Sequence, residues 1–324
     1  MHATLAELYE TSGVRFDDVC RVFDDELLSD LPFVNTLCEH VGRYRGKMLR
    51  PALVLLAGRA CGELTRQHRV IAAVVEMVHM ATLVHDDVLD EADVRRGLVA
   101  LNRLQGNEAA VLFGDFLISH AFHLCSSIDS QYASRLIGST TNTVCEGELM
   151  QIYHRGDLDL TEDEYMQIIS RKTASLTSTC CVLGARYAGA DPATIGRLEA
   201  YGLNLGIAFQ IADDLLDLLG DEQEAGKTLG LDLKKRKLTL PLIHLLGRAD
   251  ADQRAAARRL LNLAEPDCLR RVRQLVAQAG SDEYSRGVAR RHVEAALAAV
   301  SDLPPSAARD SLCALARFTV DRRQ

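Results

Sequence analysis

Residues 67–91 read QHRVIAAVVEMVHMATLVHDDVLDE, and this stretch decides the fold. Val70, Ile71, Val74, Val75, Val78, Leu83 and Val84 fall on most sides of a helix, the pattern of a segment buried in the middle of a protein. Yet the stretch ends in His85, Asp86, Asp87, Asp90 and Glu91, with Asp93 just beyond. Carboxylates at the end of a core helix are costly unless something compensates them. In Asp86-Asp87-Val88-Leu89-Asp90 the first and last Asp stand on one helix face, about 6 Å apart along the axis.

The same pattern recurs at Asp213-Asp214-Leu215-Leu216-Asp217, at the end of a second apolar helix expected over Pro192–Leu219. Either cluster alone also reads as a solvated helix end. If the two helices face each other, up to six carboxylates ring one cavity, and like charges that close repel unless cations bind. Ligands that are all oxygen, without His or Cys, suit Mg²⁺, which is held by one or two carboxylates together with substrate phosphates. The ligand implied is a phosphate or diphosphate. Basic residues lie near the acidic ones: Lys47 and Arg50 in a short segment led by Gly46, Arg95-Arg96 about one helical turn after the first motif, and Lys172 before Thr173. Lys227 and Lys237 flank the loop after the second motif. Arg matches phosphate oxygens bidentately and Lys supplies point charge.

The remaining chain reads as helices throughout. They are expected at Leu5 to about Leu28, Leu31–Arg43, from Pro51 onward, and at Glu108–Ser127, Tyr132–Tyr153 and Glu162–Ala188. Shorter helices follow from Leu238 to Val320, after a charged loop over Gly220–Lys237. With 48% hydrophobic residues, seven Pro and no sustained alternation of β-branched residues, a sheet is hard to place. The expectation is an all-α, large single-domain helical bundle around a central cavity, spanning residues 1–324. The net charge of -8 suggests no nucleic-acid partner. Nine Cys have no C-x-x-C spacing, and most of them read as buried small apolar residues in a reducing, cytoplasmic setting. No basic-then-apolar leader opens the chain, and no apolar run suggests a membrane span.

These motifs, in this order, resemble the trans-isoprenyl diphosphate synthases, most of all their medium- and long-chain members. Gly46-Lys47-x-x-Arg50-Pro51, Glu76-x-x-His79 leading into Asp86-Asp87-x-x-Asp90, Arg95-Arg96-Gly97, and Gly114-Asp115-Phe116 are similar to the family's early motifs. Glu146-Gly147-Glu148, Lys172-Thr173, Phe209-Gln210-x-x-Asp213-Asp214-x-x-Asp217, Gly226-Lys227-x-x-Gly230 and Lys237-x-Thr239-Leu240-Pro241 continue the series. The resemblance implies the isoprenoid-synthase fold, a cluster of up to three Mg²⁺ and, as a family expectation, a homodimer. It implies that Asp86, Asp90, Asp213 and Asp217 hold metal, with Asp87 and Asp214 in support. Arg95, Lys172, Lys227 and Lys237 would take an allylic diphosphate (farnesyl or geranylgeranyl). Lys47, Arg50, His79 and Arg96 would take isopentenyl diphosphate, and Thr173 and Gln210 would face the developing allylic cation. Ala81 and Thr82, small residues one turn before Asp86, leave room for a long product, with geranylgeranyl diphosphate as the rival product, and Phe122 is the candidate floor. Arg45 and Arg236 stand where the family often has Gly, and Gln151 where some short-chain members have Asp. A non-catalytic subunit of a heteromeric enzyme would be expected to lose Asp or Arg from these motifs, and none is lost here.

Overall fold

The computed structural model describes residues 5–128, 130–220, 229–262 and 268–321. Its helices are α1 (Leu5–Thr11), α2 (Asp17–Glu26), α3 (Pro32–Gly42), α4 (Leu49–Cys61) and α5 (Arg66–Leu89). After two short strands, β1 (Val94–Arg95) and β2 (Leu98–Val99), come α6 (Leu101–Gln105), α7 (Asn107–Ser126), α8 (Gln131–Tyr153) and α9 (Glu162–Ile169). A π-helical turn over Ser170–Ala174 leads to α10 (Ser175–Tyr187), α11 (Pro192–Leu219), α12 (Leu231–Lys234) and α13 (Leu240–Arg248). The chain closes with α14 (Ala251–Asn262), α15 (Cys268–Gln278), α16 (Ser281–Val300) and α17 (Ala307–Asp321). The protein is all-α; among the described residues the β1–β2 pair is the whole of its sheet. The residues group into two compact units. The first holds Met1–Thr141, Thr179–Glu199 and Leu303–Leu312, and the second Asn142–Ser178, Ala200–Asp302 and Cys313–Gln324.

In the first unit α5 is the central element, as its apolar faces require. Val70 through Val75, Met77, Val78, Met80, Ala81 and Val84 are buried, and α4 and α7 pack against it. Each fully buried side chain of the Val or Met kind stabilises by about 1.5–3 kcal/mol. Thr65 caps α5, and buried His68 completes the cap: the Thr65 amide donates to Nδ1 at 3.0 Å, and Nε2 lies 3.0 Å from the Gly184 carbonyl. An amide only donates and a carbonyl only accepts, so His68 is neutral with its proton on Nε2. Burial lowers its pKa, against the pull of the Gly184 carbonyl.

In the second unit Ile168, Ile169, Ile207, Ile211, Leu215, Leu242, Leu245, Val272 and Val288 share a core. Pro241 sits in the first turn of α13, where its missing N–H costs nothing.

The structure corrects several expectations. Leu5–Leu28 is not one helix: Gly13, at φ +69°, ends α1 before α2 begins. The helix expected over Glu162–Ala188 is split by the π turn. β1 and β2 form a hairpin where no sheet was expected, and it carries Arg95 and Arg96. The loop expected over Gly220–Lys237 contains α12; residues 221–228 lie outside the described residues. Among the described residues α7 is the one helix long and apolar enough to cross a membrane by length and composition, a test that core helices also pass, and it packs against α5.

Candidate active site

The first acidic segment is the last turn of α5 and its cap. Asp86 and Asp90 are partly exposed, whereas Asp87 is fully buried. Arg95 Nε and Nη2 both donate to Asp87 Oδ1, at 2.9 and 2.5 Å. Burial alone would lower the Arg95 pKa, but Asp87 raises it. Asn102 Nδ2 donates to the Asp87 carbonyl at 3.2 Å. His85 anchors the same turn to α7: its Nε2 donates to the Val111 carbonyl at 3.1 Å. The ring lies so close to Gly114 that an added Cβ would sit 2.1 Å from Nε2, which explains the glycine before Asp115.

The hairpin brings both arginines back toward this turn. Val94 pairs with Val99 and Arg95 with Leu98, leaving Arg96 and Gly97 as the central residues. Both have positive φ, +52° and +78°, the signature of a type I′ turn. A non-glycine residue in that conformation costs roughly 1–2 kcal/mol, so Arg96 is held there under strain. Its Nη1 donates to the Tyr44 carbonyl, and its guanidinium crosses Gly46 so closely that an added Cβ would overlap it at 2.2 Å.

Arg96 thus joins Arg50 and His79 in one basic cluster. Burial pushes His79 well below the usual histidine range, and Arg50, Arg96 and Arg95 push it further. Burial lowers Arg50 while Glu76 raises it. Buried Glu76 is pushed up by desolvation and pulled down by Arg50, Arg96 and Arg45. Cations crowded in this way favour a multiply charged anion of phosphate type. Lys47, on the same segment, is exposed, and its carbonyl accepts from Tyr9 Oη at 3.1 Å. Arg45 turns to α2 instead, pairing with Asp24 and stacking 4.2 Å over Phe23. Ala81 is fully buried. Thr82 is half-buried, with its hydroxyl donating to the His79 carbonyl at 2.7 Å. Half-buried Phe122 packs toward Gly138 on α8.

In the second unit a cavity of about 100 Å³ is lined by Gln151, His154, Tyr165, Lys172, Thr173, Gln210, Asp214, Asp232 and Lys237, among others. Thr173 Oγ1 donates to Gln210 Oε1 at 2.8 Å, and Gln210 Nε2 donates to Asp214 Oδ1 at 2.7 Å. Tyr165 Oη donates to Asp214 Oδ2, also at 2.7 Å. Burial pushes the Asp214 carboxyl well up, and Asp232 adds to this; the hydrogen bonds from Tyr165 and Gln210 oppose it. Burial and Asp217 likewise raise Asp232. Lys172 and Thr173 lie on the π turn, and Lys172 pairs with Glu148. Gln151 Nε2 donates to Glu148 Oε1 at 3.3 Å. Asp213 is partly exposed. Asp217 is buried and accepts the Leu231 and Asp232 amides at 3.2 and 3.0 Å, while its carbonyl accepts from Gly230 at 2.8 Å. Arg236 has φ +56°, a conformation that explains why glycine would be comfortable there. Lys227 lies outside the described residues.

The donor set fits magnesium. Asp86 and Asp90 offer oxygen ligands one turn apart. Two carboxylates so placed can share an ion with a ligand's phosphates, the usual way Mg²⁺ is held. Tyr165, Glu148 and Asp232 were not singled out as site residues from sequence. Glu148 had a signal in the Glu146-Gly147-Glu148 motif, and Tyr165 had one as a tyrosine on an apolar helix face, whose buried hydroxyl needs a partner.

The polyprenyl synthetase family pattern matches residues 32–279. The chain is 37% identical over 304 residues to octaprenyl diphosphate synthase of Escherichia coli, covering 92% of this chain and 93% of that one. It is 38% identical over 302 residues to the all-trans-nonaprenyl-diphosphate synthase (geranyl-diphosphate specific) of Rhodobacter capsulatus, covering 93% of each. Its fold superposes on the crystal structure of a polyprenyl synthase from Caulobacter crescentus, complexed with calcium and isoprenyl diphosphate. The TM-score is 0.93 at 34% identity, covering 100% of this chain and 99% of that one. The ordered motifs, the helical fold and these relatives agree: the chain belongs to the polyprenyl synthetase family of prenyltransferase enzymes.

Proposed function

We propose that this enzyme condenses isopentenyl diphosphate with farnesyl or geranylgeranyl diphosphate, in the presence of Mg²⁺, to give a long-chain all-trans polyprenyl diphosphate. The observation that carries this reading is the cluster of Arg50, His79, Arg95 and Arg96 around the end of a helix that also presents Asp86 and Asp90. Asp86, Asp90, Asp213 and Asp217 are the metal ligands in this reading. Bound Mg²⁺ supplies positive charge that stabilises the departing diphosphate.

The chain's own residues do the rest. Lys47, Arg50, His79 and Arg96 hold isopentenyl diphosphate, and Arg95, Lys172, Lys227 and Lys237 hold the allylic diphosphate. Asp87 steadies Arg95, whose guanidinium it receives at 2.5 Å. Thr173 and Gln210 turn oxygens toward the developing allylic cation, where the negative ends of fixed dipoles lower the barrier. Leu160, Ile168 and Ile169 on the cavity wall keep out water that would quench the cation. Small Ala81 and Thr82 leave a path for the growing chain, and Phe122 limits it. The long product is supported by these small residues and by the octaprenyl and nonaprenyl relatives. The family likeness also supports one catalytic domain over residues 1–324, acting as a cytoplasmic homodimer.

Purified protein with Mg²⁺, isopentenyl diphosphate and farnesyl diphosphate tests this directly. Products longer than geranylgeranyl diphosphate are expected, with none after chelation and none from Asp86→Ala. A product that stops at geranylgeranyl diphosphate overturns the long-chain assignment. Failure to extend either allylic diphosphate overturns the prenyltransferase reading.

A further inference from the structure

Tyr165 lies one turn before the π turn that carries Thr173, and it is 3% exposed. It is the far end of an unbroken line of hydrogen bonds: Tyr165 to Asp214, Gln210 to the other oxygen of Asp214, and Thr173 to Gln210, each at 2.7–2.8 Å. Asp214 and Thr173 are also buried, at 5% and 9% exposure. We propose that Tyr165, acting through Asp214, is a positioning residue that locks the Gln210 carboxamide with its oxygen toward Thr173 and its NH₂ turned away. The proposal rests on the reading of Gln210 and Thr173 as the groups that face the allylic cation.

The two ends of a carboxamide are nearly the same size, so partners alone decide which end points where. Asp214 Oδ1, at 2.7 Å, accepts the Gln210 NH₂. In the flipped amide two acceptors would meet at that distance, and the positive NH₂ end would turn toward Thr173. Against a carbocation that dipole has the wrong sign. Asp214 can enforce the choice only if its own plane is fixed. Tyr165 fixes it, holding Oδ2 so that Oδ1 stays against Gln210. Thr173 then has its proton committed to Gln210 Oε1, which leaves its lone pairs for the cavity. The second Asp of the second acidic motif is thus assigned to orienting an amide.

The test is a double-mutant cycle in the prenyltransferase assay. Tyr165→Phe removes one hydroxyl and keeps the ring. It is expected to lower kcat about tenfold, the worth of one hydrogen bond, with KM for both diphosphates within about twofold. In Gln210→Leu, which has no amide to orient, adding Tyr165→Phe should change kcat by less than about twofold. An equal loss in both backgrounds, or no loss in the single variant, overturns the proposal. If Tyr165→Phe does not fold, Asp214→Asn is run through the same cycle with the same criteria. A second readout does not depend on turnover: exchange of the Gln210 side-chain amide protons, followed in protein labelled at glutamine nitrogen. Tyr165→Phe should speed that exchange about tenfold, and unchanged exchange overturns the locked amide. A wild-type protein with a protected amide and no turnover would overturn the prenyltransferase reading instead. Turnover without coupling overturns this one.

Discussion

Substituting Gly114 by alanine should show how tightly the first acidic turn is held. The new Cβ would lie 2.1 Å from His85 Nε2 and 2.4 Å from Cδ2. Ordinary contact begins at 3.4 Å, so the ring must withdraw by about 1.3 Å. It cannot do so and keep its 3.1 Å hydrogen bond to the Val111 carbonyl. Overpacking of this kind costs about 1–3 kcal/mol, and the lost hydrogen bond about 1 kcal/mol. Alanine is the better former of the helix interior by about 1 kcal/mol, so Gly114→Ala should lose roughly 1–3 kcal/mol of stability, read from urea unfolding followed by far-ultraviolet circular dichroism. His85 directly precedes Asp86, so the same displacement should raise the Mg²⁺ concentration needed for half-maximal rate. Shrinking the obstructing ring isolates the cause: in a His85→Ala background, Gly114→Ala should cost less than about 1 kcal/mol. A loss below about 0.5 kcal/mol in the wild-type background, or an undiminished loss in the His85→Ala background, would refute the reasoning.

The same overlap at Gly46 should have a different outcome, because its neighbour is the end of a long surface side chain. Gly46→Ala should displace the Arg96 guanidinium, raise KM for isopentenyl diphosphate about tenfold or more, and change stability by less than about 1 kcal/mol; steady-state kinetics with an unchanged KM would count against it. His68 should make the fold acid-sensitive. Its pKa is lowered in the folded state, so above the ordinary value of about 6.5 it is neutral folded or unfolded. As pH falls through that value the unfolded chain takes up a proton that the folded chain refuses, and stability drops. His68→Gln should flatten the fall in urea midpoint between about pH 7 and pH 5, and parallel slopes would contradict this. Phe122→Ala should lengthen the product, read chromatographically, if that ring is the floor; an unchanged length clears Phe122 of that role.

The long helices were legible because their sequences leave little choice. The helix expected over about Gln67–Glu91 runs over Arg66–Leu89, and the one expected over about Pro192–Leu219 has those bounds. What escaped was local backbone geometry. The hairpin has two residues per strand, too short for any alternation to register, and its one signal was the glycine after Arg96. The apolar positions of α1 and α2 keep helical spacing across Gly13, so the pattern alone does not show the break. At the site, residue types were legible and their partners were not. Glu76 was visible in the motif, yet nothing in the sequence shows it buried among Arg45, Arg50 and Arg96. Arg45 read as a departure from a glycine, and only its packing on Phe23 and Asp24 explains how the fold accommodates it.

The π turn at Ser170–Ala174 has a consequence for how this enzyme can change over evolution. Ser175 donates back five residues to Ser170, so the turn carries one residue more than an α-helix uses. One extra residue advances the screw by about 100° and the rise by about 1.5 Å. Tyr165, Ile168 and Ile169 before the turn, and Ala174 and Thr177 after it, are therefore phased against their neighbours separately. Deleting a single residue here would barely shorten the chain. It would restore one continuous screw and rotate every later side chain of the helix by more than a quarter of a turn, with Thr173 carried off Gln210. Lys172 and Thr173 aside, a lineage can vary what the residues of this turn are, but their number is fixed by angle.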